Sequence, residues 1–305
     1  MMTKFLPNIS IFIPTFNDRI DLLACLKSIQ FIDYPKSHIE IVIWNNASND
    51  GTGKAVTLFF SEMRSASWTD LKLIEGSKNE GSYVPYNLVQ PYLSPETQYI
   101  LGLDADIELF PDTLKNLIQA AHDEDAAVVG ARSVFFNDPE LTAHGAGFIN
   151  RWTASYGEQD SRKRIQCDYV IGCCWLLKRS VFDKLGGFDP EYYINHWEVD
   201  YCLRAHSEGY NIIYEPKAVA KHKIALSGTI NNVRLYYLYR NKIVLIKKLF
   251  PLPQRWIALI YFLLFSIPKS IFAAIIRNRA VNFKELRFIY KSFVDGFSNI
   301  KGKTV

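Results

Sequence analysis

The chain has 305 residues, 49% of them hydrophobic and 22% charged, which suits one large folded domain with an appendage, or two domains, and sets disordered and fibrous classes aside. The formal charge of +4 hides an asymmetry: residues 228–305 carry 14 Lys/Arg against 2 Asp/Glu, so the remainder is net acidic. Such a basic part points to a membrane surface or nucleic acid, and no nucleic-acid motif accompanies it. Five cysteines, an odd number without a CxxC, read as reduced buried thiols of a cytosolic compartment and exclude zinc spacing; the first ten residues lack a signal-peptide core.

In chain order, Ile9–Ile13 reads as a strand ending at Pro14-Thr15-Phe16-Asn17-Asp18. A helix follows with Leu22, Leu23, Leu26 and Ile29 at helical spacing, and Asp18 or Asp21 as its cap. Ile39–Trp44 is a second strand, ending in Asn45-Asn46-Ala47-Ser48-Asn49-Asp50-Gly51, and Thr52–Phe60 a helix. Leu71–Ile74 is a third strand; Asn79-Glu80-Gly81 breaks the chain before a helix around Asn87 to Tyr92. Tyr99–Leu103 is a fourth strand, a helix runs from Pro111 to about His122, and Ala126–Gly130 is a further strand. Residues 134–164 read as a polar loop. Cys167–Arg179 reads as a strand pair or one long strand with Gly172 inside it, where a ligand or backbone approaches closely. Val181–Leu185 is a short helix closed by Gly186-Gly187; Trp197 opens another that Gly209 ends, and Ile212–Tyr214 is a strand. Alternating strands and helices imply an α/β fold with a mainly parallel central sheet, with ligands beyond the carboxyl ends of its strands. Neither GxGxxG nor GxxxxGK[ST] occurs, which disfavours dinucleotide dehydrogenases and P-loop NTPases.

Asp104-Ala105-Asp106 ends the Tyr99 strand, and strand alternation carried one step further would put both carboxylates on one face. Two acids leaving an apolar strand suit a divalent cation that holds a diphosphate. The plain alternative is a solvated strand end.

Taken together, several pieces in order resemble family 2 glycosyltransferases of the GT-A fold, in style the rhamnosyltransferase-like members that build bacterial surface polysaccharides. They are Ile13-Pro14-Thr15-Phe16-Asn17, Asn46-Ala47-Ser48-Asn49-Asp50-Gly51, Asn79-Glu80-Gly81 with Asn87, Leu103-Asp104-Ala105-Asp106, Gly172, Gly186-Gly187-Phe188-Asp189, Glu198-Val199-Asp200-Tyr201-Cys202-Leu203-Arg204 and His222. The resemblance spans about Ile9 to Ser227 and implies a GT-A catalytic domain over 1–227. It implies inverting transfer from a UDP- or dTDP-linked sugar to a saccharide, lipid-linked or free, in surface-glycan synthesis. A carboxylate base and a Mg²⁺- or Mn²⁺-stabilised leaving diphosphate would serve that reaction. By the same resemblance Pro14, Thr15, Asn17, Asn45, Asn46, Asn79, Gly81, Asp104 and Ala105 bind the nucleotide sugar, and Asp106 and His222 the metal. Asp168, Gly172 and Trp197 face the acceptor, and Glu198, with Asp200 as the alternative, is the base. Each has a plainer reading: Glu198 and Asp200 as carboxylates at a helix N-terminus, His222 as a surface residue, Asp168 as a hydrogen-bonded loop acid.

Two departures stand out. The family usually has Asp where Asn45 stands, leaving the base identity open, and often Glu-Asp where this chain has Trp197-Glu198. They keep a catalytically silent assembly partner in view as an alternative, beside a nucleotidyltransferase of similar architecture. In 228–305, Leu235, Leu238, Tyr239, Ile243, Ile246 and Phe250 share a helical face, and Trp256–Ile276 is mostly apolar but interrupted by Pro268 and Lys269. That stretch suits an interfacial or re-entrant segment, a spanning helix, or a helix packed on the catalytic domain or on a second copy in a homo-oligomer. Arg255, Arg277, Arg279, Lys284 and Arg287 suit anionic lipid, with Trp256 and Tyr261 as anchors. The expected location is therefore the cytoplasmic face of the cell membrane.

Overall fold

An apolar run with no polar face is satisfied only between two layers. In the computed structural model, which describes residues 6–63, 67–224, 232–278, 283–298, 300 and 302–304, that is where the first strand lies. β1 (Ile9–Thr15) sits inside a ten-stranded sheet, with β2 (Ile39–Asn45) on one side and β4 (Tyr99–Leu103) on the other; β3 (Asp70–Glu75) flanks β2. All four are parallel, with Ile13 opposite Ile43 and Thr15 opposite Asn45. Alternate side chains feed two cores. Ile11, Ile13, Ile41 and Ile43 pack under α1 (Arg19–Gln30) and α2 (Thr52–Met63) through Leu26 and Val56. Phe12, Val42 and Trp44 face the opposite side, where Tyr86 of α3 (Val84–Leu88) packs.

Beyond β4 the sheet becomes mixed. β5 (Ile107–Leu109) is followed by α4 (Thr113–Asp123) and by β6 (Ala126–Phe135). The stretch expected as a loop, 134–164, instead continues β6 and forms β7 (Asp138–His144), β8 (Ala146–Asn150) and β9 (Ser155–Gln159). β7 is an exposed strand along β6, and β8–β9 is a two-stranded ribbon in which β8 buries Ala146, Gly147 and Ile149 but β9 buries nothing, so no sustained apolar alternation marks the stretch. β10 (Ile165–Gln166) leads to a turn at Gly172-Cys173, and only then β11 (Cys174–Lys178) inserts antiparallel between β4 and β6; Gly172 therefore lies in a turn, not a strand. α5 (Arg179–Leu185), α6 (Trp197–Ser207) and β12 (Asn211–His222) complete the sheet, β12 running parallel to β6 and antiparallel to β5. The five cysteines are buried and unpaired.

The tail forms α7 (Asn232–Leu249), α8 (Gln254–Tyr261), a π-helical turn over Phe262–Ser266, α9 (Ile267–Asn278) and α10 (Phe283–Phe297). The expected 227/228 boundary, like Arg279, lies outside the described residues. α7 is not a one-faced amphipathic helix: Tyr237, Arg240, Asn241, Val244 and Leu245 are buried along with the expected Tyr239, Ile243 and Ile246. α8, the π-helical turn and α9 differ, leaving Trp256 60%, Leu264 64%, Phe265 59% and Phe272 66% exposed. Among the described residues no helix is long and apolar enough to cross a membrane, so the spanning alternative finds no helix here.

Candidate active site

The parallel strands stop at one edge, and a cleft opens there. Pro14, Thr15, Asn46, Asn79, Gly81, Asp104, Ala105 and Asp106 line it, all expected from the sequence. Phe16, Asp18, Ser82, Tyr193 and Ile194 line it too, and were not expected. Asp18 does not cap α1 with its side chain; its Oδ2 accepts a hydrogen bond from the Phe16 N–H at 3.3 Å.

The chain leaves strand geometry at Asp104, where a turn closes with the Ile107 N–H donating to the Asp104 carbonyl at 3.2 Å. The two carboxylates converge through this turn, not through strand alternation. His222, last in β12, pairs with Ile107 across the β5 ladder, and its Nε2 lies 3.4 Å from Asp106 Oδ1. One ligand atom from each of Asp104, Asp106 and His222 falls within 4.8 Å of the others. Burial, then the charge of Asp106, pushes Asp104 up to about 7. Burial also opposes ionisation of Asp106, but the hydrogen bond and charge of His222 outweigh it and hold that carboxyl below its ordinary value.

Two expected donor contacts stand outside the cleft lining. Asn45 is 3% exposed and both ends of its amide are engaged: Nδ2 donates to Glu75 Oε2 at 2.6 Å, and Oδ1 accepts from the Ser48 N–H at 3.1 Å. Asn17 adopts a left-handed φ of 57° and ties two loops, accepting from the Asn49 N–H at 2.8 Å. Asn46 lines the cleft and braces its neighbour loop, its Nδ2 donating to the Gly81 carbonyl at 3.1 Å.

Glu198 lies in the first turn of α6, half-buried, and its Oε2 has no hydrogen-bond partner among the described residues. Burial chiefly, and then the charge of Asp104, pushes it up to about 7. Asp200 is different. Fully buried, it accepts from the Tyr192 hydroxyl at 3.1 Å and from Arg204 Nε at 2.8 Å. Arg204 also donates to the carbonyls of Leu185 and Gly187 at 2.9 and 2.7 Å, so this carboxylate anchors α6.

Trp197, expected at the acceptor, is 7% exposed and packs in an aromatic core, 4.8 Å from Phe188 and 5.5 Å from Trp175. Gly172 sits against it: a Cβ there would meet Trp197 Cη2 at 2.7 Å. Asp168 accepts from the Ile149 N–H at 2.8 Å and so fastens the β8–β9 ribbon. The structure thus gives all three of these residues packing or fastening contacts.

Two residues with no sequence signal shape the loop before α6. Arg240 donates to the carbonyls of Glu191 and Gly302, and Asn241 Nδ2 donates to those of Ile194 and Asn195 at 2.7 and 3.1 Å. They hold a loop whose Asn195 and His196 both take left-handed φ, 62° and 67°, immediately before Trp197 and Glu198.

The family model described as Glycosyl transferase family 2 matches residues 10–186. A probable glycosyltransferase of Bacillus subtilis, YdaM, is 28% identical over 71% of this chain, and the chain spans about half (50%) of its length. The N-acetylglucosaminyl-diphospho-decaprenol L-rhamnosyltransferase of Mycobacterium tuberculosis is 23% identical over 62% of this chain and 68% of its own. Among solved structures, the Pyrobaculum calidifontis mannosyltransferase PcManGT in complex with GDP-Man and Mn²⁺ superposes with a TM-score of 0.64 at 17% identity, covering 98% of this chain and 89% of that one. The fold is accordingly the GT-A fold.

Proposed function

This chain belongs to glycosyl transferase family 2, and we propose that it moves a sugar, with inversion, from a nucleoside-diphosphate donor to a hydroxyl of a lipid-linked saccharide. That it is a glycosyltransferase of glycan or polysaccharide biosynthesis follows from the family and its relatives. The finer reading is supported chiefly by one observation: Asp104, Asp106 and His222 converge at the sheet edge, and Asp104 is close enough to Glu198 to raise its pKa.

Two carboxylates and an imidazole are a fitting donor set for Mn²⁺ or Mg²⁺, the oxygens hard and the nitrogen tolerated best by Mn²⁺. Bound there, the cation would neutralise charge on the departing diphosphate. Asp106 and His222 are the ligands in this reading, and Asp104 lies beside the donor sugar and ribose. Glu198 takes the proton of the acceptor hydroxyl. That oxygen bonds to the anomeric carbon as the bond from carbon to the diphosphate oxygen breaks, and the electron pair leaves with the nucleotide. A carboxylate shifted toward neutrality by burial is a stronger base than an exposed one. Asp200, engaged by Arg204 and Tyr192, is the poorer candidate for that role.

The tail supports a membrane-facing acceptor. Trp256, Leu264, Phe265 and Phe272 are each exposed and alternate along the chain with the basic Arg255 and Lys269, a composition that suits an anionic interface. A thermal-shift screen of UDP, dTDP and GDP with and without Mn²⁺ tests the donor reading. Stabilisation by one nucleotide only when metal is present is the expected result; no shift with any of them would refute it.

A further inference from the structure

One polar atom of the acidic cluster is left without a partner. His222 Nε2 faces Asp106, but Nδ1 of the same ring is buried with no hydrogen-bond partner among the described residues. An imidazole that holds a metal through one nitrogen carries its proton on the other. That N–H nearly always meets an acceptor, which fixes the tautomer and the direction of the ring.

The strand register brings an acceptor close. His144, last in β7, pairs with Ser133 of β6, and Ser133 pairs on its other side with Ala220 of β12, two residues before His222. Opposed residues, and residues two apart, point to one face of a sheet, so both histidines stand on the same side of β6. Their ring centres are 5.8 Å apart, with the planes at 49°. His144 is itself held. Its Nδ1 lies 3.4 Å from Glu158 Oε2 of β9, an oxygen that also accepts the Gly145 N–H at 3.1 Å. An oxygen that accepts from Gly145 accepts from the imidazole as well, which puts the His144 proton on Nδ1 and leaves Nε2 with a free lone pair. Asp104 feels both rings, after burial and the charge of Asp106.

We infer that His144 is a positioning residue for His222: its Nε2 accepts the Nδ1–H of His222, directly or through one ordered water, and so aims the His222 Nε2 lone pair at the cation. The inference rests on the metal reading above. Every proton in the row has one place. Glu158 accepts from His144 Nδ1, His144 Nε2 accepts from His222 Nδ1, and His222 Nε2 is left bare for the ion. The ligand atoms that lie within 4.8 Å of one another come from Asp104, Asp106 and His222 and not from His144, so His144 acts through His222. Its side chain is 26% exposed, which gives the ring room to settle as the ion enters.

The test is calorimetry of Mn²⁺ binding to the full chain with UDP present, in a double-mutant cycle. His144→Phe keeps a ring and removes both nitrogens; Mn²⁺ affinity should fall about tenfold. His144→Gln, whose amide oxygen stands near the place of the Nε2 lone pair, should retain most of it. In a His222→Ala background, His144→Phe should cost nothing further, because the group it positions is gone. Metal-free melting temperatures should match the wild type. His144→Asn, too short to reach His222, replaces the phenylalanine variant if that one does not fold. Wild-type affinity in His144→Phe, with His222→Ala clearly weakened, would overturn the inference. Equal losses in both backgrounds would overturn it too, since His144 would then act without His222. Unchanged affinity in His222→Ala alone would strike the metal reading itself and take the inference with it.

Discussion

His222 Nε2 stands 3.4 Å from Asp106 Oδ1 because the antiparallel pairing of β12 with β5 sets His222 opposite Ile107. The register of two distant strands therefore brings His222 to the turn that carries Asp104 and Asp106. Asp106→Asn and His222→Ala should each lower Mn²⁺ affinity by at least about tenfold, measured by calorimetry with UDP present, with little change in melting temperature. Unaltered Mn²⁺ affinity in both would remove the metal role.

Glu198→Gln keeps shape and removes the base. Activity should fall by about 10²–10⁴-fold. Stability at neutral pH should rise by about 1–2 kcal/mol, because a half-buried carboxylate no longer has to be ionised away from water. Denaturant unfolding of both proteins checks the second half.

The pH profile has a stated direction. Glu198 must be ionised to accept a proton and its pKa is raised to about 7, so turnover should climb as pH rises through about 7 and then level off. Stability runs the other way. The folded value of about 7 exceeds the ordinary 4.5, so the folded state holds an extra proton between them and loses stability as pH rises across that window. In Glu198→Gln this part of the slope should vanish.

Arg204→Ala leaves Asp200 buried with its charge unmatched and frees the carbonyls of Leu185 and Gly187. A loss of about 3–5 kcal/mol is expected from denaturant melts. Nucleotide and Mn²⁺ binding by the fraction that remains folded should persist; its disappearance would mean that the pair touches the donor site.

Gly172→Ala drives a Cβ to 2.7 Å from Trp197 Cη2, next in sequence to Glu198. The indole has little room in its aromatic core, so about 1–3 kcal/mol of stability should be lost. A fall in kcat with an unchanged donor KM would place the disturbance at the base.

The parts of the site that were legible in the sequence are those where strand ends carry their own polar residues: Pro14-Thr15, Asn46, Asn79, Gly81 and Asp104-Ala105-Asp106 all reach the cleft. Local pattern sufficed because a parallel sheet delivers its strand ends to one edge. Asn45 shows the limit. It ends β2 at the edge where the cleft opens but does not line the cleft, because Glu75 and Ser48 claim its amide, and no spacing rule forecasts a partner from a neighbouring strand. Trp197 likewise has the polarity to meet a ligand but the volume to fill a core, and the core claimed it. The β8–β9 ribbon was missed because β9 buries no residue and the buried part of β8 is only Ala146, Gly147 and Ile149, and Tyr193 and Ile194 because their loop is placed by α7, not by anything nearby in the chain.

Arg240 is wholly enclosed, and the carbonyls it meets belong to Glu191 and Gly302, one on the loop before α6 and the other near the chain's end. Anyone trimming the greasy terminus from α8 onward to obtain a better-behaved enzyme would leave this peg but remove the Gly302 carbonyl that holds one side of it. The left-handed pair Asn195-His196 would then lose a brace, and with it the neighbouring Tyr193 and Ile194 that line the cleft, so a shortened protein should be inert. Grafting a tail from a relative would demand the same peg at the same helical position.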